Sequence, residues 1–354
     1  MIENYGFVIL AGGKGSRMGN VNKAGLLYRG EAFAYRIGAE LKALGRPCFF
    51  SAAGTENPFK EDWSLICDSV RDEKGGLIGP MGGIYSCFAQ TTLDGLFFVS
   101  CDLPLFRREM ALRLMARLQN QEKRDAIVWR TRDGRIHPLC GYYSRSCLPV
   151  LEQFIEQGNY RMRDFLAALS CETVETSAEH MPDWWFTNVN TKETYERIMN
   201  RRTPVFAVSG RKNSGKTTLL EGLVRELSAR GVRVAVIKHD GHDFEPDVPG
   251  TDSFRMKAAG AYGTVVYSEN RFSLVKEETS HNVEDFFAYF LEADIILLEG
   301  QKDSLYPKIE VMRTYISKEP VCRPETVKAY VQDWDGETGE LLELLISYID
   351  NSQS

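Results

Sequence analysis

The octet Gly210-Arg211-Lys212-Asn213-Ser214-Gly215-Lys216-Thr217 fits the pattern G-x-x-x-x-G-K-[ST] in full. It sits between an apolar run, Val205–Ser209, and an amphipathic stretch, Lys216–Ala229. No other feature of the chain restricts its fold as tightly. A strand, a glycine-rich turn and a helix in that order aim successive backbone N–H groups at one anion. The backbone of this loop is expected to cradle phosphates, with Lys216 reaching the outer phosphate oxygens and Thr217 holding Mg²⁺. Gly210, Asn213, Ser214, Gly215, Lys216, Thr217 and Thr218 are therefore the candidate nucleotide-binding residues. A later buried strand, residues 293–298, runs into Glu299-Gly300. Glu299 is the candidate second metal or water ligand. Asp294 begins that strand and so lies at the wrong end of a parallel sheet. His239 and His242 are spaced H-x-x-H, but no further Cys or His lies near them, and they read as solvated loop residues.

Short apolar runs alternate with helix-like stretches along the whole chain. Candidate strands are residues 7–10, 48–52, 65–67, 96–100, 126–129 and 186–189 in the first half, and 205–209 and 232–238 in the second. Amphipathic stretches such as 109–119, 145–156, 191–199 and 341–348 fall between or after them. This alternation predicts an α/β protein with parallel strands and covering helices. The chain of 354 residues suggests two domains, and Pro204 disfavours helix at Thr203. The junction is placed near Arg201, giving domains 1–200 and 201–354.

Charge narrows the classes of partner. The net charge is −6, and the first 200 residues carry equal numbers of acidic and basic groups. Neither half has the basic excess of a nucleic-acid-binding domain. No apolar run reaches the roughly 20 residues of a membrane helix. Eight scattered cysteines without a CxxC pair suit reduced, buried thiols. These features predict a cytoplasmic protein, with no nucleic acid and no membrane as partner.

A second phosphate loop follows the first strand: Leu10-Ala11-Gly12-Gly13-Lys14-Gly15-Ser16-Arg17-Met18-Gly19, with Lys23 shortly after. The glycines let the backbone approach a ligand closely, and Arg17 and Lys23 add charge at a triphosphate. A plain strand-to-helix turn is the alternative, but Gly12, Gly13 and Gly15 with an Arg and a Lys at one strand exit favour the phosphate reading.

This segment resembles the nucleotidylyltransferase signature L-x-A-G-G-x-x-x-R-M-G-x-x-x-K, and more narrowly the molybdenum cofactor guanylyltransferase family, MobA. Further matches fall in order: Ile66-Cys67-Asp68, Gly79-Pro80-Met81-Gly82-Gly83-Ile84, Cys101-Asp102-Leu103-Pro104, His137-Pro138 and Asn188-Val189-Asn190-Thr191. The resemblance implies a Rossmann-like nucleotidyltransferase domain using Mg²⁺ and GTP, with molybdopterin or its molybdenum form as acceptor. Asp102, past the carboxyl end of a buried strand, is assigned to Mg²⁺, the alternative being a helix N-cap. Arg17, Lys23 and Asp102 form the implied catalytic set. The resemblance puts base and ribose near Leu10, Ala11, Gly12, Gly13 and Asp68; Asp68 is equally readable as a turn former. At Ser51–Gly54 the chain departs from the family, which can carry Asn there. Asn188 and Asn190 contact substrate phosphate or metal by resemblance, or else bond a turn backbone. His137 is given no catalytic role, because the incoming phosphate is already an anion, and is read as structural or pterin-side.

The second half resembles MobB, the GTP-binding companion of that enzyme, through GRKNSGKTTLL, the segment 237–243, Pro249-Gly250-Thr251-Asp252-Ser253, Leu298-Glu299-Gly300 and Pro307-Lys308. It implies a C-terminal P-loop NTPase domain. The whole chain then reads as a fusion that transfers GMP to molybdopterin with release of pyrophosphate. Other cofactor-maturation proteins and molybdoenzyme apoproteins are the implied partners, and a homo-oligomer is left open. The rival readings are a cytidylyl- or sugar-phosphate nucleotidylyltransferase, and a non-catalytic GTP-dependent carrier.

Overall fold

The consecutive apolar residues Phe7 to Leu10 form the buried inner part of β1 (Tyr5–Leu10). A strand covered on both faces reads this way, without polar alternation. The computed structural model describes residues 4–11, 23–54, 57–59, 62–118, 123–240, 244–277 and 282–352. The chain divides into two compact units. The first holds residues 1–202, 226–232 and 339–354, and the second holds 203–225 and 233–338.

In the first unit, a small hairpin of β2 (Leu27–Tyr28) and β3 (Glu31–Ala32) leads into α1 (Phe33–Lys42). There follow β4 (Cys48–Ala52), β5 (Ser64–Cys67), α2 (Pro80–Ala89), β6 (Gly95–Ser100) and α3 (Arg108–Arg117). Next come β7 (Ala126–Arg130), β8 (Ile136–Ser144), α4 (Leu148–Glu156), α5 (Met162–Ala168), β9 (Cys171–Glu175) and α6 (Lys192–Met199). Seven strands form one sheet in the order β5-β4-β1-β6-β8-β7-β9. Both neighbours of β1, β4 and β6, pair with it in parallel. The sheet is mixed, not purely parallel as expected, because β8 runs antiparallel to β6 and β7. A register shift in the β7–β8 pairing, beside His137, accommodates Pro138 in an interior strand.

The expected strand over residues 186–189 is absent. A 3-10 turn, Asp183–Phe186, occupies its start. Trp184, Trp185 and Phe186 are consecutive and all buried. A strand would send alternate side chains to opposite faces, whereas this tight turn packs all three.

The second unit carries β10 (Val205–Ser209), α7 (Lys216–Ala229) as far as Arg225, β11 (Val234–Lys238), α8 (Asp252–Ala258), β12 (Gly263–Tyr267), β13 (Phe272–Lys276), β14 (Ile295–Glu299), β15 (Lys308–Met312) and β16 (Val327–Gln332). Its sheet has the order β11-β14-β10-β15-β16, with every pair parallel. Every residue of β10 and β14 is buried. The last helix, α9 (Gly339–Asn351), belongs to the first unit and buries Leu342, Leu345, Ile346 and Ile349. Among the described residues no helix is long and apolar enough to cross a membrane. All eight cysteines are free thiols.

Candidate functional site

Strand β6 ends at Ser100, and two residues later Asp102 projects at the carboxyl end of the sheet. Its carboxylate is held from two sides. Asn188 Nδ2 donates to Asp102 Oδ1 at 2.8 Å, and Lys23 Nζ lies 3.6 Å from Oδ2. The same ammonium donates to Asn190 Oδ1. The backbone N–H of Val189 donates to the Asp102 carbonyl at 2.8 Å. The segment 188–190 is thereby stitched across the end of β6, and four of the predicted site residues converge. Asp102 is not a helix N-cap, since the next helix, α3, starts at Arg108.

The chain runs outward from β1 to β4 and β5 and then crosses back to place β6 on the other side of β1, so the cluster lies where the strand order reverses, the usual place for ligands in an open α/β sheet. Leu10 and Ala11 enter this region on backbone bonds. Ala11 N–H donates to Ser51 O at 2.7 Å, and Cys101 N–H to Leu10 O at 3.0 Å. Gly12, Gly13 and Arg17 lie outside the described residues. A small cleft beside Leu10 is lined by Ser51, Ala52, Asp68 and the α2 start Gly79-Pro80. A Cβ on Gly83 would come within 3.0 Å of Leu10 Cδ2, so the glycine keeps this wall close. Asp68 is buried, and its Oδ1 accepts from Val70 N–H and Ser86 Oγ, both at 3.3 Å. Burial pushes its carboxyl above the usual range.

In the second unit the loop after β10 takes the conformation its glycines permit. Gly210, Asn213 and Gly215 have φ of 145°, 64° and 96°. A Cβ on Gly210 would stand 2.2 Å from Val311 O, which no other residue tolerates. Lys216 Nζ donates to Arg211 O at 2.7 Å. Burial, the largest influence, holds the Lys216 ammonium below its ordinary pKa. Thr217 Oγ1 donates to Glu299 Oε1 at 2.7 Å, and Lys238 Nζ lies 3.8 Å from Glu299 Oε2. A threonine hydroxyl and a carboxylate side by side are a hard-oxygen donor pair of the kind Mg²⁺ takes. Ser214 is buried, and its hydroxyl has no partner among the described residues. Thr218 is exposed on the first turn of α7. Asp294 accepts from Arg233 N–H at 2.9 Å at the far end of β14, a structural role. His239 follows β11 on the exposed surface, and His242 lies outside the described residues. Among the described residues no group of three His, Cys, Asp or Glu side chains is placed to hold a metal.

Two family models match the chain. The MobA-like NTP transferase domain covers residues 7–174, and molybdopterin guanine dinucleotide synthesis protein B, MobB, covers 205–333. The molybdenum cofactor guanylyltransferase of Syntrophotalea carbinolica is 30% identical over 193 residues, 54% of this chain and 88% of the relative. The molybdopterin-guanine dinucleotide biosynthesis adapter protein of Haemophilus influenzae is 38% identical over 124 residues, 34% of this chain and 70% of the relative. That of Escherichia coli is 39% identical over 115 residues, 31% of this chain and 66% of its own length. The chain belongs to both families. It is a fusion of a guanylyltransferase-type nucleotidyltransferase and a MobB-type P-loop part in molybdenum cofactor maturation.

Three features near the guanylyltransferase and MobB sites were not readable in the sequence. His137 is buried, with Nε2 3.2 Å from Thr131 Oγ1 and its ring 4.9 Å from that of Phe186. Burial, then the nearby Arg135 charge, lowers its pKa to about 4, so the ring is neutral at pH 7. Arg135 reaches Asn188 Oδ1 at 3.5 Å. In the MobB part Lys308 is fully buried, and Nζ donates to the carbonyls of Gln301, Lys302 and Ser304 at 3.0, 3.2 and 2.8 Å. It thereby fixes the loop that follows Glu299. Pro307-Lys308 was visible as a motif, but nothing in it announced a buried charge.

Proposed function

We propose that the first unit transfers GMP from Mg·GTP to the terminal phosphate of molybdopterin, or of its molybdenum form, and releases pyrophosphate. The second unit binds GTP at its P-loop and assists that maturation. The observation that carries the reading is the convergence of Lys23, Asp102, Asn188 and Asn190 at the carboxyl ends of β1 and β6. Nucleotidyl transfer brings one phosphate anion against another, so the site must offset their repulsion. Lys23 supplies a fixed cation there. Asp102 offers one carboxylate, enough for a Mg²⁺ that takes its remaining ligands from nucleotide phosphates and water. Bound there, Mg²⁺ would neutralise charge developing on the phosphates. Asn188 orients the Asp102 carboxylate, and Asn190 holds the Lys23 ammonium in place.

The base is assigned to the cleft at Leu10, Ser51 and Asp68. The hydrogen bonds of Asp68 described above engage Oδ1, and Oδ2 is the acceptor we assign to guanine or ribose donors. Gly12, Gly13 and Arg17 complete the phosphate loop. In the second unit Gly210, Asn213, Ser214, Gly215, Lys216 and Thr218 hold the nucleotide, with Thr217 and Glu299 as the Mg²⁺ pair. The eight free thiols suit a cytoplasmic setting. Other maturation proteins and molybdoenzyme apoproteins are the partners this role calls for.

The test is pyrophosphate release with Mg²⁺, molybdopterin as acceptor, and GTP or CTP as donor. We expect release with GTP alone, reduced ~10²-fold or more in Asp102→Ala, the cost typical of losing one transition-state charge contact. Release with CTP instead overturns the base assignment. Release from neither donor overturns the transferase reading in favour of a carrier.

A further inference from the structure

Lys23 stands on a single 3-10 turn, Lys23–Gly25, which Leu26 N–H closes by donating to the Lys23 carbonyl at 3.2 Å. So short a turn does little to fix the direction of a flexible four-carbon side chain. Yet the Lys23 ammonium bridges two points, Asn190 Oδ1 and the Asp102 carboxylate. The bridge needs its two banks held at a set spacing, and two side chains outside the cluster brace them.

The first brace is Tyr195 of α6, which is half-buried. Its hydroxyl donates to the carbonyl of Leu27 at 2.8 Å, across 168 positions in the chain. Asn190 lies just before this helix. Tyr195 N–H donates to Thr191 O at 3.1 Å, and the Thr191 hydroxyl accepts from Thr194 N–H at 3.2 Å. That capped first turn makes Asn190 and Tyr195 parts of one rigid piece. The Tyr195 ring lies 6.2 Å from that of the buried Phe33, whose N–H donates to Leu26 O at 2.8 Å. The contacts close a circuit. It runs from Asn190 through α6 to Leu27, back along the chain to Lys23, and from the ammonium to Asn190 again.

The second brace is Arg36 of α1. Its guanidinium stacks on the Tyr28 ring at 4.8 Å, and Nε donates to Pro104 O at 3.4 Å. Pro104 lies two residues past Asp102, so this brace ties the Asp102 loop to the same stretch beyond Lys23. The two braces use different side chains for different banks: Tyr195 serves the Asn190 contact, and Arg36 serves the Asp102 contact.

We infer that Tyr195 is a positioning residue, which keeps Lys23 on Asn190 and so holds the ammonium where the nucleotide phosphates meet. Its hydroxyl bonds a backbone carbonyl, and it acts through Leu27 and not on substrate. A cation fixed in advance need not be drawn out of water when phosphate charge develops. The consequence for GTP rests on the transferase reading; the brace rests on the hydrogen bonds.

The test is a double-mutant cycle on the full chain, with Tyr195→Phe, Asn190→Ala and the two together. Tyr195→Phe removes one oxygen and leaves the ring against Phe33. Two quantities are read. One is kcat/KM for GTP in pyrophosphate release. The other, free of turnover, is the Kd of the first unit for GTP, taken with Lys216→Ala present to silence the P-loop. With Asn190 in place, Tyr195→Phe should worsen each about 5-fold, the size of one hydrogen bond. With Asn190→Ala already present, it should change each by less than about 1.5-fold, because the contact it serves is gone. A loss of equal size in both backgrounds makes Tyr195 a plain structural residue of α6 and overturns the inference, as does no loss with Asn190 in place. If the wild-type chain releases no pyrophosphate from any donor, the transferase reading fails and the Kd cycle alone decides on Tyr195. No GTP binding by the first unit overturns both.

Discussion

Acidification should destabilise the first unit through one side chain, His137. It is 6% exposed and packed under Phe186, with Asp133 and Arg135 as its charged neighbours. Its pKa falls from 6.5 to about 4 on folding. Between those values the unfolded chain binds a proton that the folded chain rejects. The stabilisation is complete above pH 6.5 and is lost as pH falls toward 4. From the two pKa values, the loss at pH 5 relative to neutral pH is about 2 kcal/mol. Asp350 works in the opposite direction. Burial raises its pKa from 3.8 to about 6, so its contribution is full below pH 3.8 and lost as pH rises through 6. The comparison must therefore be between proteins that share Asp350. His137→Gln keeps a polar group toward Thr131 and cannot titrate. Thermal unfolding followed by tryptophan fluorescence reports largely on this unit, which holds Trp63, Trp129, Trp184 and Trp185. Between pH 7.5 and pH 5, wild type should lose about 4–8 °C more in Tm than His137→Gln, taking 2–4 °C per kcal/mol for a unit of this size. Equal losses in the two proteins refute the buried, neutral imidazole.

Two further expectations concern the MobB part. Lys216→Ala, and independently Thr217→Val, should abolish GTP binding at the P-loop in equilibrium titration while leaving pyrophosphate release by the first unit within a few-fold of wild type; retained P-loop affinity in both would place the nucleotide elsewhere. Lys308→Met should destabilise the second unit by about 3–5 kcal/mol, because three loop carbonyls lose a buried cationic donor and gain no replacement. Urea unfolding monitored at Trp334 checks this, and an unchanged midpoint contradicts it.

The sequence displayed most strands of both sheets, β5 and β11 at two of the edges among them, but not β8 and β15 in the interior or β9 and β16 at the other two edges. β1, β4, β10 and β14 are legible because a strand with parallel neighbours and covering helices needs apolar side chains at consecutive positions, and β6, parallel to β1 but antiparallel to β8, is buried at every residue and reads the same way. β8 was missed because Pro138 and Gly141 argue against an interior strand, and only the bulge beside them makes the pairing feasible. Residues 186–189 adjoin the aromatic run Trp184–Phe186, which the chain uses in a turn and not in a strand. The phosphate loops, Asp102 and Glu299 were visible because their chemistry depends on local order along the chain. The roles of Arg132, Arg135, Lys308 and of α9, whose helix was itself legible over 341–348, were not. Each acts through partners that its neighbours in sequence do not announce, and Arg132 meets Glu343 across 211 residues. No local pattern encodes such a meeting.

The two proposed nucleotide sites reach a similar arrangement through strand register. In the first unit β1 delivers the loop, and its parallel neighbour β6 delivers the acid, with Leu10 beside Ser100. In the second, β10 delivers the loop and β14 the acid, with Val208 beside Glu299. Parallel pairing brings the carboxyl ends of both strands to one edge, so an acid at or just past the end of one lies beside the end of the other. The two solutions differ in reach. Glu299 is the last residue of its strand, and its longer side chain extends to Thr217 on the helix that follows the loop. Asp102 has a shorter side chain and stands two residues beyond the strand, where Asn188 and Lys23 must come to it. The first site accordingly depends on a distant segment, 188–190, that the P-loop site does not require.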